Sequence, residues 1–221
     1  MHQQLFEKVD QYITGLFVET DPCLAAIERS IIENDIPSIS ISPTQGKLLH
    51  LLAKLCHAKN ILELGTLAGY STVWMARALP ENGHLLTLES NEKHAAVAKE
   101  NFIRCGLADR ITIKTGNAIE TLPALVGSKA GPFDMIFIDA DKPPYTAYFQ
   151  WALQVSRPGT LIIADNVIRE GKVLDTGDHD ERVMGVRRFN DYLSQCKQVT
   201  ATIFQTVGAK EHDGMAMAIV K

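Results

Sequence analysis

Gly131-Pro132-Phe133-Asp134-Met135-Ile136-Phe137-Ile138-Asp139-Ala140-Asp141-Lys142 is the stretch that decides the fold. A short apolar run ends there in two carboxylates and a lysine. Leu161-Ile162-Ile163-Ala164 repeats the pattern and delivers Asp165-Asn166, 26 residues after Asp139. Short, continuously apolar runs are what strands buried on both faces of a parallel sheet require. Ligands of open parallel α/β sheets gather beyond the carboxyl ends of the strands. Asp139, Asp165, Asn166 and Lys142 are therefore expected to converge on one cleft. Three oxygen donors suit a hard cation, and the ammonium beside them is a potential base.

Strands and helices alternate on both sides of this pair. Ile61–Leu64, Leu85–Leu88, Ile111–Lys114, Phe133–Ile138 and Leu161–Ala164 read as strands. Tyr70–Leu79, Glu92–Cys105, Ala118–Val126 and Tyr145–Ser156 read as helices. The βαβα order predicts a parallel sheet with right-handed crossovers. The tail adds a helix, Glu181–Cys196, and strands Val199–Phe204 and Met215–Val220. Asp175–Asp180 is a polar loop, readable as a flexible lid or as plain solvated chain.

Ahead of the sheet, Leu5, Val9, Ile13, Leu16 and Phe17 fall at helical spacing. Cys23, Ile27, Ile31 and Ile32 predict a second helix after Asp21-Pro22. Ser42-Pro43-Thr44-Gln45 reads as a capping box with proline at the first helical position, opening a helix to about His57. The 221 residues suffice for one α/β domain, and a net charge of −4 gives no global basic excess for nucleic acid. Cys23, Cys56, Cys105 and Cys196 lack zinc-ligand spacing and read as reduced thiols of a cytoplasmic protein. Met1–Lys8 lacks the basic and apolar regions of a signal peptide. No apolar run approaches the ~20 residues of a membrane span.

Leu62-Glu63-Leu64-Gly65-Thr66-Leu67-Ala68-Gly69-Tyr70-Ser71 joins the first strand to its helix. Gly65 and Gly69 permit a tight turn and close backbone approach to a ligand. The pattern is not GxGxxG, and Glu63 sets negative charge where a diphosphate would sit. A ligand without phosphate is expected. Glu89 ends the second strand 24 residues after Gly65, an interval suited to accepting bonds from both ribose hydroxyls. Gly116-Asn117-Ala118, after the third strand, offers small residues and backbone to flank a purine.

In these residues the chain resembles the class I S-adenosylmethionine-dependent, cation-dependent O-methyltransferases, the catechol and caffeoyl-CoA O-methyltransferases among them, and small bacterial members most of all. The resemblance runs from Ser42-Pro43-Thr44-Gln45-Gly46 through Ile61–Thr72, Phe133–Tyr145 and Ala164–Val167 to Asp213-Gly214. It implies a Rossmann-like α/β fold with a central, mostly parallel seven-stranded sheet, helices on both faces and extra N-terminal helices. It implies one domain, 1–221, in which 1–57 help cover cofactor and acceptor and make dimer contacts. Asp139, Asp165 and Asn166 match metal ligands, Mg²⁺ being the expected ion; Lys142 matches the catalytic base, and Asp139 is counted with it as catalytic and also as a cofactor contact. Glu89 matches the ribose acceptor. Glu63, Gly65, Thr66 and Ser71 match residues around the methionine part of S-adenosylmethionine. Ile41 matches a backbone contact, Ala118 an adenine contact, and Asp141 a further cofactor contact. Asn117 departs from the aspartate of many relatives. Ala140 departs from a bulky residue, which implies a wider acceptor pocket.

The implied activity is methyl transfer to a hydroxyl of a chelated catechol-type small molecule, phenylpropanoid- or flavonoid-like. The alternative is methylation of 5-hydroxyuridine at the wobble position of tRNA. A cytoplasmic homodimer without a membrane partner is also implied. The remaining features read more plainly. His50, His57, His84, His94, His179 and His212 share no spacing and are taken as structural or surface residues, and Trp74 and Trp151 as core. Asp213-Gly214 is taken as a turn, Arg187-Arg188 as a solvated face.

Overall fold

The computed structural model describes residues 2–210 and 212–221. Met1, where the leader reading begins, and Glu211 lie outside the described residues. The order of elements is α1 (His2–Phe17), α2 (Pro22–Glu33), α3 (Pro43–Leu55), β1 (Asn60–Leu64), α4 (Tyr70–Ala76), β2 (His84–Glu89), α5 (Glu92–Arg104), β3 (Ile111–Thr115), α6 (Ala118–Gly127), β4 (Met135–Ile138), α7 (Tyr145–Gln154), β5 (Leu161–Asp165), α8 (Glu181–Gln195), β6 (Val199–Thr206) and β7 (Asp213–Val220). Short 3₁₀ turns lie at Ala108–Arg110 and Arg169–Leu174. The seven strands form one sheet in the order β3-β2-β1-β4-β5-β7-β6. β1 to β5 are mutually parallel, while β7 runs antiparallel to both β5 and β6.

The apolar strand runs alternate between two cores even though both faces are buried. Ile61, Met135, Phe137, Leu161 and Ile163 pack against α2, α3, α4 and α5. Leu62, Leu64, Ile136, Ile138 and Ile162 pack against α6, α7 and α8. This is why β4 and β5 show no polar alternation, whereas the edge strand β3, Ile111-Thr112-Ile113-Lys114-Thr115, alternates and is partly exposed. The Ser42–Gln45 capping box is present in both halves. The helix expected over Tyr70–Leu79 ends at Ala76. Ala78 and Leu79 then bond back to Met75 and Ala76, tightening the chain ahead of Pro80. Asp213-Gly214 is not a turn: it pairs with Thr206 and Gln205 and starts β7.

The expectation of four reduced thiols is corrected. Cys23, near the start of α2, and Cys105, the cap of α5, form a disulfide with Cα atoms 5.4 Å apart. They are 82 residues apart in sequence, so only the packing of α2 on α5 reveals the pair. The spacing is that of ordinary disulfides. Cys56 and Cys196 are free thiols. Cysteine usage thus no longer argues for a compartment.

Asp134 ties the amino end of the sheet together. Its Oδ2 accepts the N–H groups of Lys59 and Asn60 at 2.8 and 2.9 Å, and its Oδ1 accepts from Arg157 at 2.6 Å. Burial pushes this carboxyl up, but the bonds from Asn60, Lys59 and Arg157 outweigh it and hold the group below the usual range. A depressed carboxylate contributes stability above its unfolded value, about 3.9, and loses it as pH falls through the folded value. Asp134→Ala is expected to cost about 1.5–3 kcal/mol at pH 7. The gap from wild type should shrink at pH 3, as read by urea unfolding at both pH values. A gap equally large at both would remove the carboxylate from the account.

Candidate active site

Both motif strands, β4 and β5, end at the same edge of the sheet, beside β1. Parallel pairing sets Leu64 opposite Ile138, and Ile138 opposite Ala164. The residues that follow each strand are thereby delivered to one place. A methyl group added to Gly65, at φ 93°, would meet the Asp139 carbonyl oxygen at 2.1 Å. Only glycine lets the β1 turn lie this close to the β4 terminus.

Lys142 is the centre of the first cluster. It is 7% exposed, and its Nζ donates to Asp139 Oδ1 at 3.1 Å, to the Asp165 carbonyl at 3.2 Å and to the Tyr145 hydroxyl. The Tyr145 hydroxyl lies 3.0 Å from the Asp165 carbonyl and 3.2 Å from that of Ile138. Its ring stands 4.5 Å below the ammonium. Lys142 is thus ion-paired with Asp139. Asp141 instead accepts from the Tyr148 hydroxyl at 2.5 Å, and that phenol is held far above its ordinary range by burial and by the carboxylate.

Asp165 is almost wholly buried, and its Oδ1 accepts the N–H of Asn166 at 2.9 Å. Burial, and after it the negative charge of Asp139, pushes its carboxyl up to about 7. Asn166 follows in the left-handed region at φ 57°. Arg169, Glu170 and Gly171 lie there too. Asp213 braces this segment, its Oδ1 accepting the N–H groups of Ile168 and Arg169 at 2.9 Å each. Asp213 is thus a backbone brace, a role that sequence reasoning missed.

The second cluster lies under the glycine turn. Glu63 is fully buried, with hydroxyl bonds from Ser71 at 2.6 Å, Thr72 at 2.5 Å and Thr87 at 2.7 Å. Burial pushes its carboxyl up to about 7 against those bonds. Thr66 Oγ1 lies 2.5 Å from Thr87 Oγ1. Glu89 Oε2 accepts the N–H groups of Thr66 and Leu67 at 3.1 and 2.8 Å, and Oε1 that of Asn91 at 2.9 Å. Glu89 therefore fixes the turn, whatever else it binds. Ile41 is buried just before the α3 cap, and Ala118 is buried at the start of α6. Asn117 caps α6 by accepting from the Ile119 N–H. A helix cap explains this residue without any ligand.

The donor set suits a hard cation. Asp139, Asp165 and Asn166 offer only oxygen, and the two carboxylates penalise one another in a dry setting with Lys142 as their cation. Among the described residues no group of three or more His, Cys, Asp or Glu side chains is gathered as a metal site, here or elsewhere; this set has two carboxylates and one amide. Sequence could have flagged Tyr145, three residues past Lys142 and at the start of a helix. For Asp213 there was no local signal.

The family model described as O-methyltransferase matches residues 16–219. A catechol O-methyltransferase of Niastella koreensis is 63% identical over 221 residues, covering 100% of each chain. The crystal structure of an O-methyltransferase from Bacillus cereus in complex with SAH superposes with a TM-score of 0.97 at 47% identity, covering 99% of each chain. That of TomG from Streptomyces achromogenes, involved in tomaymycin synthesis and in complex with SAM, gives 0.96 at 43%, covering 100% of this chain and 99% of the other.

Proposed function

Because this chain belongs to the O-methyltransferase family, we propose that it transfers the methyl group of S-adenosylmethionine to one hydroxyl of a catechol-type small molecule, phenylpropanoid- or flavonoid-like, with Mg²⁺ as the divalent cation. The observation that carries this reading is the Asp139–Lys142–Asp165 cluster set against the glycine turn. S-adenosylmethionine supplies the methyl group on a sulfonium centre. A cation held by Asp139, Asp165 and Asn166 would supply Lewis-acid stabilisation of a developing phenolate.

The chain's own residues supply the rest. Lys142, once its ammonium has released a proton to solvent, takes the proton of the acceptor hydroxyl as the neutral amine and is left as the ammonium paired with Asp139. Glu89 receives the ribose hydroxyls while anchoring the Thr66–Leu67 turn. Glu63 acts on the methionine part through Ser71, the half-buried member of its hydroxyl set. Ile41, Gly65, Thr66, Ala118 and Asp141 shape the remaining surface around the cofactor. Holding sulfonium and hydroxyl in line contributes through proximity.

The test of the reading is a methyl-donor consumption assay with catechols, flavonoids and undermethylated tRNA, each with and without Mg²⁺. Turnover of tRNA alone would install the wobble-uridine alternative. Glu89→Ala is expected to weaken S-adenosylmethionine binding roughly 10–100-fold, since bonds to a charged acceptor are worth about 1.5–3 kcal/mol. Glu89→Gln, which keeps one acceptor oxygen for the turn, should lose less. Calorimetry showing full affinity for Glu89→Ala would place Glu89 outside the donor site.

A homodimer belongs to the same proposal. Leu5, Val9, Tyr12, Leu16 and Phe17 are exposed on α1. An isologous contact with a second copy would cover them. Light scattering at micromolar concentration is expected to give a dimer mass, and Leu5→Asp with Leu16→Asp a monomer; a monomeric wild type rejects it. No helix among the described residues is long and apolar enough to cross a membrane. The cytoplasm is the compartment we propose, and cell fractionation tests it.

A further inference from the structure

We propose that Tyr145 is a positioning residue that keeps Lys142 Nζ at the strand ends both as the ammonium and as the neutral amine, the form that acts as base. This rests on Lys142 being the base of the proposed reaction. An ammonium has three N–H donors and no acceptor. Here the three donors meet three protein acceptors: the Asp139 carboxylate, the Asp165 carbonyl and the Tyr145 hydroxyl. The Asp139 carboxylate is expected to turn toward a cation, and the Asp165 carbonyl is main chain at the end of β5. Tyr145 is the one uncharged side chain among the three.

The phenol is itself fixed. Having accepted from Lys142, its single O–H is left to donate to the main chain at Asp165 or Ile138, 3.0 and 3.2 Å away. Those carbonyls sit at the ends of the two motif strands, so Tyr145 ties β4, β5 and Lys142 into one frame. The ring is fully buried and packs edge-on against Phe189, with centroids 5.7 Å apart. A freely rotating side chain could not index the ammonium; this one is clamped on both its ring and its hydroxyl.

Tyr145→Phe removes one oxygen and keeps the ring, its packing and its face under the ammonium. Donor and acceptor KM are expected to stay within about twofold, while kcat falls roughly 10–100-fold, the worth of one bond to a charged group. The decisive measurement is a double-mutant cycle with Lys142→Ala. If Tyr145 acts through Lys142, adding Tyr145→Phe to Lys142→Ala changes kcat by less than about twofold; a tenfold further drop means an independent structural role and overturns the inference. An unchanged kcat in Tyr145→Phe alone overturns it too. A second readout needs no turnover. The ¹⁵Nζ resonance of Lys142 should show slow proton exchange with water in the wild type and fast exchange in Tyr145→Phe. Equal exchange in both overturns the positioning role. Lys142→Ala with wild-type kcat would instead reject the base reading, while the ¹⁵Nζ resonance still decides what Tyr145 does.

Discussion

Lys142→Ala is expected to lower kcat by roughly 10²–10⁴-fold, the range for loss of a general base, while S-adenosylmethionine affinity stays near wild type. The expectation follows from placement. Lys142 is buried at the edge where β4 and β5 end, and its hydrogen bonds go to Asp139, Tyr145 and Asp165 rather than to Glu63 or Glu89. Its removal should therefore spare donor binding. The competing role is purely electrostatic. Lys142 is the cation paired with Asp139 at 3.1 Å, and it also lowers the proton affinity of Asp165. Lys142→Arg separates the two roles. A guanidinium keeps the positive charge but stays protonated, so it cannot take the acceptor's proton. If Lys142 is the base, arginine does not rescue. A Lys142→Arg enzyme within about threefold of wild-type kcat, less than 1 kcal/mol of barrier, would assign Lys142 to charge balance alone.

Removal of the cation is expected to have the second large effect. Treatment with EDTA should bring activity to background, and Mg²⁺ should restore it, with Mn²⁺ or Ca²⁺ as substitutes for an all-oxygen donor set. The physical motive is the pair of carboxylates at the strand ends. Asp165 is nearly excluded from water and has the charge of Asp139 beside it, so the site favours added positive charge. Lys142 supplies one unit, and it lies to the side of Asp139 where the β4 chain turns into α7. Asp139→Ala and Asp165→Ala should therefore lose cation binding itself, measurable by calorimetry with Mg²⁺ alone. Lys142→Ala, by contrast, should retain it. Full turnover in a chelated, metal-free sample would reject the cation's part in the reaction and leave activation of the hydroxyl to Lys142 alone.

Much of this protein was determined by the sequence by itself. Runs such as Met135–Ile138 and Leu161–Ala164 are apolar on both faces, and the period of a strand is a local property of the backbone. The Ser42–Gln45 box is likewise a local bonding pattern and is present as read. The order of strands and helices implied a parallel sheet, and a parallel sheet sends the chemistry after its strands to one edge. Asp139, Lys142 and Asp165 meet there for that reason.

Only the tertiary structure decided what depends on elements distant in the chain. Cys23 and Cys105 read as separate thiols until α2 lay on α5. Asp213 read as a turn until β7 paired with both β5 and β6 and brought its carboxylate under the Ile168–Arg169 backbone. Glu89 read as a residue for a ligand, yet in the fold it also caps the N–H groups of Thr66 and Leu67, across the β1–β2 pairing. Tyr145 read as the start of a helix, and its hydroxyl is the hinge between Lys142 and two strand ends. The physical reason is common to all four. Periodicity and capping follow from neighbours a few residues apart, which the sequence displays directly. A buried polar group is satisfied by whichever partner packing delivers, and that partner is specified by the sum of the core contacts rather than by any spacing along the chain.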